Sequence, residues 1–236
     1  MHAVTWLGMA IAVAVWDWFA VALSRRRLGY FTKPAVMVAL LAAVLTAAAR
    51  AGRPLPMLSW VAVALFFSLL GDVFLMLPRE RFAWGLAAFL LAHLAYVLAF
   101  SMDMPPFNLW TAGVAVVVGL AAGKFYERLR VALEAIDKDS LVKPIALYTA
   151  VISLMVLSAL LLLWQPSVSR VAAALVAMGA LLFFASDGLL AWHRFVRPLP
   201  RGRLWVRMLY HLGQVAIVVG VLALNGALGA GCTQML

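Results

Sequence analysis

The chain has 236 residues, of which 67% are apolar and 12% are charged, and its mean hydropathy of +1.04 lies far above that of soluble globular domains. This composition excludes most soluble enzyme folds and predicts an integral membrane protein. A net charge of +10 is compatible with nucleic-acid binding, but the basic residues lie in short clusters between apolar stretches, so we expect no nucleic-acid partner.

Apolar stretches of transmembrane length occur eight times along the chain. An α-helix needs about 17 to 25 such residues to cross roughly 30 Å of hydrocarbon. The predicted helices cover residues 3–23, 34–50, 57–77, 82–101, 107–123, 144–164, 169–193 and 203–227. Little chain remains between them, so residues 1–236 are expected to form a single all-α transmembrane domain. Its function must then reside in helix side chains and short loops.

The distribution of Lys and Arg predicts how these helices are oriented. Of the 19 basic residues, 16 fall in alternate loops on one side of the predicted membrane and 3 on the other. The positive-inside rule makes the rich side cytoplasmic and leaves both termini outside. This bias fits a protein of the bacterial inner membrane.

The longest predicted loop, residues 124–142, carries a helical pattern of its own. Phe125, Leu129, Leu133 and Ile136 recur at helical spacing between charged residues. The pattern is typical of a helix lying on the cytoplasmic membrane surface, over residues 124–140. A solvated linker with residual helix is the alternative.

Three kinds of residue recur in the same order in both halves of the chain. The first half carries Lys33-Pro34, Asp72 and His93, and the second half carries Lys143-Pro144, Asp187 and His211. This order predicts a parallel repeat of four plus four helices, with a site at the interface of the halves. Chance is the alternative, because proline is common near helix starts.

Three aspartates lie inside the predicted helices at a common depth. Asp17, Asp72 and Asp187 stand within seven residues of the predicted cytoplasmic ends of their helices. An ionised carboxylate at membrane depth costs roughly 2.5 to 3.5 kcal/mol, so such residues usually face the protein interior. Polar residues of neighbouring helices share this half of the membrane: His93, Tyr148, Tyr210 and Gln214. We therefore predict a polar site open toward the cytoplasmic leaflet; ordinary hydrogen bonds between helices are the alternative.

Several short motifs accompany these residues. They are "TKP" at 32–34, "GDVFLM" at 71–76, "GLAAFLLAHLAY" at 85–96, "YTAVISLM" at 148–155, "GALLFFASD" at 179–187, and a Y-x-x-x-Q formed by Tyr210 and Gln214. In this order the sequence resembles the lysoplasmalogenase-like membrane proteins, that is, the bacterial YhhN proteins and their animal relatives.

The resemblance implies an eight-helix hydrolase that needs no cofactor and acts on a lysophospholipid in the bilayer. Its substrate would be a lysoplasmalogen, whose vinyl ether is cleaved to a fatty aldehyde and a glycerophospho-base. The essential aspartates of the family carry over to Asp72 and Asp187. Asp17 and His211 are not part of the family pattern. Gly188, which directly follows Asp187, makes the residues around Asp187 less similar to the family motif.

Vinyl ether hydrolysis suits a pair of carboxyl groups. Protonation of the β-carbon gives an oxocarbenium ion that water captures, so the reaction needs an acid and an anion. Glycosidases use two carboxylates for a related ion. The expected supporting or water-orienting residues are His93, Tyr148, Tyr210, Gln214 and Ser186. The expected ligands of the lipid phosphate are Lys33, Arg79 and Lys143.

Two other functions fit the same residues. A zinc-dependent membrane lipid hydrolase would use His93, His211 and the aspartates as metal ligands. A proton-coupled lipid or metabolite transporter would use intramembrane Asp and His as a proton relay. The sequence does not indicate an oligomeric state.

Overall fold

A computed structural model describes residues 2–77, 81–102 and 108–228. Within these ranges the regular structure is entirely helical. The helices are α1 Ala3–Ala22, α2 Arg26–Arg50, α3 Pro56–Met76, α4 Phe82–Phe100, α5 Leu109–Glu134, α6 Val142–Leu161, α7 Arg170–Phe195 and α8 Gly202–Leu224, with 3₁₀ turns at Asp139–Leu141 and Leu162–Trp164. All eight α-helices are long and apolar enough to cross a membrane, which confirms the predicted fold class. The orientation of the termini and the four-plus-four repeat remain predictions.

Glycines bring α7 and α8 into close contact. A Cβ atom on Gly179 would lie 2.6 Å from the carbonyl oxygen of Gly213, and one on Gly220 would lie 2.8 Å from that of Ala172. No other residue type lets two helix backbones approach so closely, and such contacts stabilise helix pairs in membranes. The polar residues near the start of α8 are therefore held at a fixed position against α7.

Helices α3 and α4 form a second close pair. A Cβ atom on Gly71 would lie 2.6 Å from the ring of Phe89, and one on Gly85 would lie 2.6 Å from the side chain of Leu75. Helix α1 packs on α2 and α8, and α6 packs on α4, α5 and α7. Among the described residues, the backbones of α4 and α5 do not form a helix interface.

Helix α5 is longer than predicted. Residues 124–134 continue it without a break, so the predicted surface helix is not a separate element. Leu129 and Leu133 are buried, and with Ile145 and Phe195 they form a small apolar cluster beside the main core. Packing against α6 and α7 therefore holds this segment, whereas Ile136 beyond the helix is exposed.

Helix α2 begins at Arg26, a full two turns before the predicted start at Pro34. Proline is usually excluded from a helix interior because it lacks an N–H group and crowds the preceding turn. Here the turn before Pro34 is fixed by tertiary contacts: Thr32 donates a hydrogen bond to Asp17, and Lys33 pairs with Asp72. These bonds to α1 and α3 account for the early start.

Candidate active site

Asp72 is fully buried and bound by two side chains from other helices. The ammonium group of Lys33 on α2 lies 2.6 Å from Asp72 Oδ1. The hydroxyl group of Tyr210 on α8 donates a hydrogen bond of 2.9 Å to Asp72 Oδ2. Lys33 also lies 5.0 Å from the centre of the Tyr210 ring. The carboxylate thus joins α2, α3 and α8 and has a cation beside it.

Asp187 belongs to a different hydrogen-bonded group. The hydroxyl group of Tyr148 on α6 donates a hydrogen bond to Asp187 Oδ2. His93 Nε2 on α4 lies 2.9 Å from the Tyr148 oxygen and 3.3 Å from Asp187 Oδ2. The side chain of His93 is fully buried, whereas that of Asp187 is 15% exposed. Asp187 therefore joins α4, α6 and α7, and part of its carboxyl group is accessible.

Aromatic rings lie between the two groups. The Phe183 ring is centred 4.8 Å from that of His93 and 5.2 Å from that of Tyr210. Phe89 packs edge-on against both Phe183 and Tyr210. The sequence predicted that Asp72 and Asp187 share one pocket; in the described residues each has its own partners, and the link between them is apolar.

Gln214 and Ser186 form their hydrogen bonds with residues other than the two aspartates. Gln214 accepts a hydrogen bond of 2.5 Å from the hydroxyl group of Tyr96 and donates one of 3.2 Å to Ser68. Ser186 donates a hydrogen bond of 3.0 Å to the carbonyl oxygen of Val206. In this structure both residues connect helices, and a supporting role in the site remains a prediction.

The three predicted phosphate ligands differ in their surroundings. Lys33 is paired with Asp72 and is only 12% exposed, so it does not stand free at the membrane surface as expected. Lys143 is exposed at the start of α6, the helix that carries Tyr148. Arg79 lies outside the described residues.

A cleft with mostly apolar walls ends at Asp187 and Tyr148. Residues of α3, α4, α5, α6 and α7 line it, and Asp72 is not among them. Thr149, another polar residue in the wall, donates its hydroxyl group to the carbonyl oxygen of Ile145 in its own helix. The exposed part of Asp187 therefore faces an apolar space.

A further polar cluster joins α1, α2 and α8. Asp17 is fully buried, and Arg207 and Thr32 each lie 2.5 Å from its Oδ1 atom. Nearby, Trp18 donates a hydrogen bond of 3.2 Å to His211 Nδ1. The sequence predicted a depth for Asp17 but no partner for Asp17 or His211.

Helical spacing could have indicated several of the missed partners. Arg207 precedes Tyr210 by three residues, Ser68 precedes Asp72 by four, and Tyr96 follows His93 by three. Residues three or four apart share one face of a helix. A search for polar residues one turn away from each candidate would therefore have found them.

The two core histidines take part in separate clusters. His93 contacts Asp187, and His211 contacts Trp18. In the ranges that the structure describes, no three His, Cys, Asp or Glu side chains lie close enough together to hold a metal ion. The donor set of the zinc alternative is thus not assembled from these residues.

Comparison with known proteins identifies the family. The family model described as YhhN family matches residues 28–221, and the chain belongs to the YhhN family. Lysoplasmalogenase TMEM86B of Homo sapiens is 35% identical over 159 residues, which are 67% of this chain and 62% of that protein. Lysoplasmalogenase of Mycobacterium tuberculosis (strain CDC 1551 / Oshkosh) is 33% identical over 163 residues, which are 65% of this chain and 57% of that protein.

A more distant relative is lysoplasmalogenase TMEM86A of Bos taurus, 29% identical over 167 residues, which are 70% of this chain and 65% of that protein. The chain thus spans less than two thirds of the length of each of these relatives. No solved structure matches it.

Proposed function

We propose that this protein is a lysoplasmalogenase, a hydrolase that cleaves the vinyl ether bond of alkenyl-glycerophosphocholine or alkenyl-glycerophosphoethanolamine. The products are a fatty aldehyde and a glycerophospho-base. One observation carries the proposal: Asp187, held by Tyr148, presents a carboxyl group to an apolar cleft inside a membrane protein. Relatives of the same family named lysoplasmalogenase support it.

The chemistry requires a proton donor at the vinyl ether. Asp187 in its acid form gives its proton to the β-carbon, and the electron pair of the C=C bond forms the new C–H bond. The ether oxygen shares a lone pair with C1 to give an oxocarbenium ion. Water adds to C1 and returns a proton to the Asp187 carboxylate. The resulting hemiacetal breaks its C1–O bond to glycerol, whose oxygen takes the hydroxyl proton, so one water is consumed and no oxidant is needed.

We assign the acid role to Asp187 because, of Asp72 and Asp187, it is the one that lines the cleft. Tyr148 and His93 both approach Oδ2, which leaves Oδ1 for the substrate. A hydrogen bond from Tyr148 also stabilises the carboxylate that forms after proton transfer. Tyr148 and His93 are therefore proposed as positioning residues for Asp187.

Asp72 is proposed as the anionic partner of the site. The neighbouring ammonium group of Lys33 favours its ionised form, and Tyr210 holds its second oxygen. The ring of Tyr210 contacts Phe89, which lines the cleft. Through this contact Asp72 is proposed to hold the Phe89 wall of the cleft in place, and its carboxylate to act on the developing oxocarbenium ion through space.

The lipid phosphate is proposed to lie near Lys143. This residue is exposed, and it precedes Tyr148 by five positions in α6, about 7.5 Å along the helix axis. That spacing suits a lipid whose phosphate stays at the membrane surface while its vinyl ether reaches Asp187. The site would then lie in the cytoplasmic half of a bacterial inner membrane, as the charge distribution predicts.

The test is aldehyde release from a lysoplasmalogen by the purified protein in lipid nanodiscs. We expect turnover by the wild type and its loss in Asp187→Asn and Asp72→Asn, whereas the matched variant Asp139→Asn, at an exposed position of the 3₁₀ turn Asp139–Leu141, keeps it. Failure of the wild type to release aldehyde, or unchanged turnover in both active-site variants, contradicts the proposal. Loss of turnover on adding a chelator would point instead to the zinc-dependent alternative.

A further inference from the structure

The cleft beside Asp187 has the apolar lining of a site for a hydrocarbon chain. Aromatic and aliphatic side chains make up most of its wall, among them Phe82, Leu86, Phe125 and Leu129. Its ionisable or hydroxyl-bearing residues are Asp187, Tyr148 and Thr149, and Tyr148 is hydrogen-bonded to Asp187. A ligand that fills it must be apolar along most of its length and carry its reactive group beside Asp187.

Two of the helices that line the cleft do not pack backbone to backbone. Phe82 and Leu86 belong to α4, and Phe125 and Leu129 belong to α5. The backbones of α4 and α5 do not form an interface among the described residues. Their side chains do meet, because Phe82, Leu86 and Phe125 pack on the apolar cluster that contains Leu129. Side chains alone therefore close the seam between α4 and α5, and a lipid chain can part them.

We propose that this cleft binds the alkenyl chain of the substrate, which enters from the bilayer between α4 and α5 and brings its C1–C2 double bond to Asp187. The inference rests on the proposed function and extends it to the substrate chain. An apolar chain leaves the lipid for a cleft of similar polarity, so shape and length decide which chains fit.

Gly188 sets the width of the cleft next to the reacting carbons. A Cβ atom at this position would lie 3.4 Å from Cζ of Phe125 on the facing wall, which is ordinary contact. An alanine therefore fits, whereas a leucine extends into the space that the chain needs. Gly188 follows Asp187 directly, so a longer side chain acts on the chain without replacing the acid.

The kinetic test compares lysoplasmalogens that share a headgroup and differ in chain length. For Gly188→Leu we expect kcat/KM for the long alkenyl chain to fall by about tenfold or more relative to that for a short chain. Gly119→Leu is the matched control, because nothing lies within 4 Å of a Cβ atom there and the site faces outward from α5. Leu86→Trp, at a half-buried position of the α4 wall, gives a second variant should Gly188→Leu not fold. Equal losses for long and short chains in both wall variants overturn the chain site.

A binding test keeps this inference separate from the proposed reaction. The probe is a lysophospholipid with a non-hydrolysable alkyl ether chain that carries a photoreactive diazirine. We expect crosslinks on the cleft residues Phe125, Leu129 and Phe184, and their loss with excess unlabelled alkyl lysophospholipid. Crosslinks confined to the outward residues Val116, Val117 and Leu120 of α5 overturn the chain site. If the cleft residues are crosslinked, if excess unlabelled lipid prevents this, and if no vinyl ether is hydrolysed, the result contradicts the proposed function and supports the chain site.

Discussion

Lys33 and Asp72 form an ion pair of 2.6 Å in a part of the protein where the aspartate has no exposed surface. The pair joins α2 to α3, and Tyr210 adds α8 through its hydrogen bond to the same carboxylate. A buried charge that loses its partner is far more costly than a pair that is removed as a whole. This difference allows the structural and functional contributions of the pair to be separated.

The first prediction concerns the removal of one or both members of this pair. Lys33→Met leaves the Asp72 carboxylate uncompensated and should lower stability by about 3 to 5 kcal/mol. In Lys33→Met/Asp72→Asn no charge remains, and the midpoint of thermal unfolding, followed by tryptophan fluorescence in detergent, should recover most of its loss. Vinyl ether hydrolysis should stay absent in the double variant. Recovery of hydrolysis together with stability would show that Asp72 has only a structural role.

The second prediction concerns the hydrogen bond from Tyr148 to Asp187. Tyr148→Phe keeps the ring and removes the hydroxyl group, so kcat/KM should fall about tenfold to a hundredfold, because a hydrogen bond to a charged group contributes about 1.5 to 3 kcal/mol. Tyr126→Phe is the control, since its hydroxyl group makes only a 3.4 Å contact to the carbonyl oxygen of Val142. Equal effects of the two substitutions on kcat/KM would argue against a positioning role for Tyr148.

The third prediction separates the Asp17 cluster from the candidate active site. Asp17 is buried and paired with Arg207, and it also accepts the hydroxyl group of Thr32, but it contacts neither Tyr148 nor Tyr210. Asp17→Asn leaves Arg207 without its counterion, so the midpoint of thermal unfolding should fall. Turnover per folded molecule at low temperature should be unchanged. A variant with normal stability and low turnover would instead make Asp17 part of the site.

The fourth prediction concerns the close approach of Gly71 and Phe89. A Cβ atom at position 71 would lie 2.6 Å from the Phe89 ring, which lines the cleft and contacts Tyr210. Gly71→Ala should therefore displace the ring and reduce both stability and turnover. Phe89→Leu gives the new methyl group room, so the double variant should be more stable than Gly71→Ala alone. Gly113→Ala, where nothing lies within 4 Å, should leave unfolding unchanged.

The number and type of the helices could be predicted because a membrane-spanning segment is specified by its own composition. Helix ends could not be predicted in this way where other elements hold them. The first turns of α2 are fixed by bonds from Thr32 and Lys33 to other helices, and the last turns of α5 are fixed by the burial of Leu129 and Leu133. Such contacts join residues far apart in the chain, so they cannot be predicted from a hydropathy pattern over neighbouring residues.

The candidate site shows the same division between local and long-range information. Depth along the helices predicted one polar group, which contains Asp17, Asp72, Asp187, His93, Tyr148, Tyr210 and Gln214. Hydrogen bonds and ion pairs divide these residues among separate groups. Which of them touch depends on how the helices are rotated about their own axes, and this rotation is set by packing. The pairing of Lys33 with Asp72, and the apolar rings between the two aspartates, follow from that packing and were not foreseen.

The composition of the cleft wall bears on the fate of a reactive product. Aldehydes condense with lysine amines. An enzyme that releases an aldehyde within its own fold can therefore modify its own lysine side chains. None of the described residues that line the cleft is a lysine, and Lys33 is engaged by Asp72. The Nζ atom of Lys138 lies 5.8 Å from the centre of the Phe195 ring, which lines the cleft. A fatty aldehyde formed at Asp187 would leave between apolar walls into the lipid, while the glycerophospho-base returns to water. Exit between α4 and α5 would thus shorten the time in which the aldehyde can form an imine with Lys138.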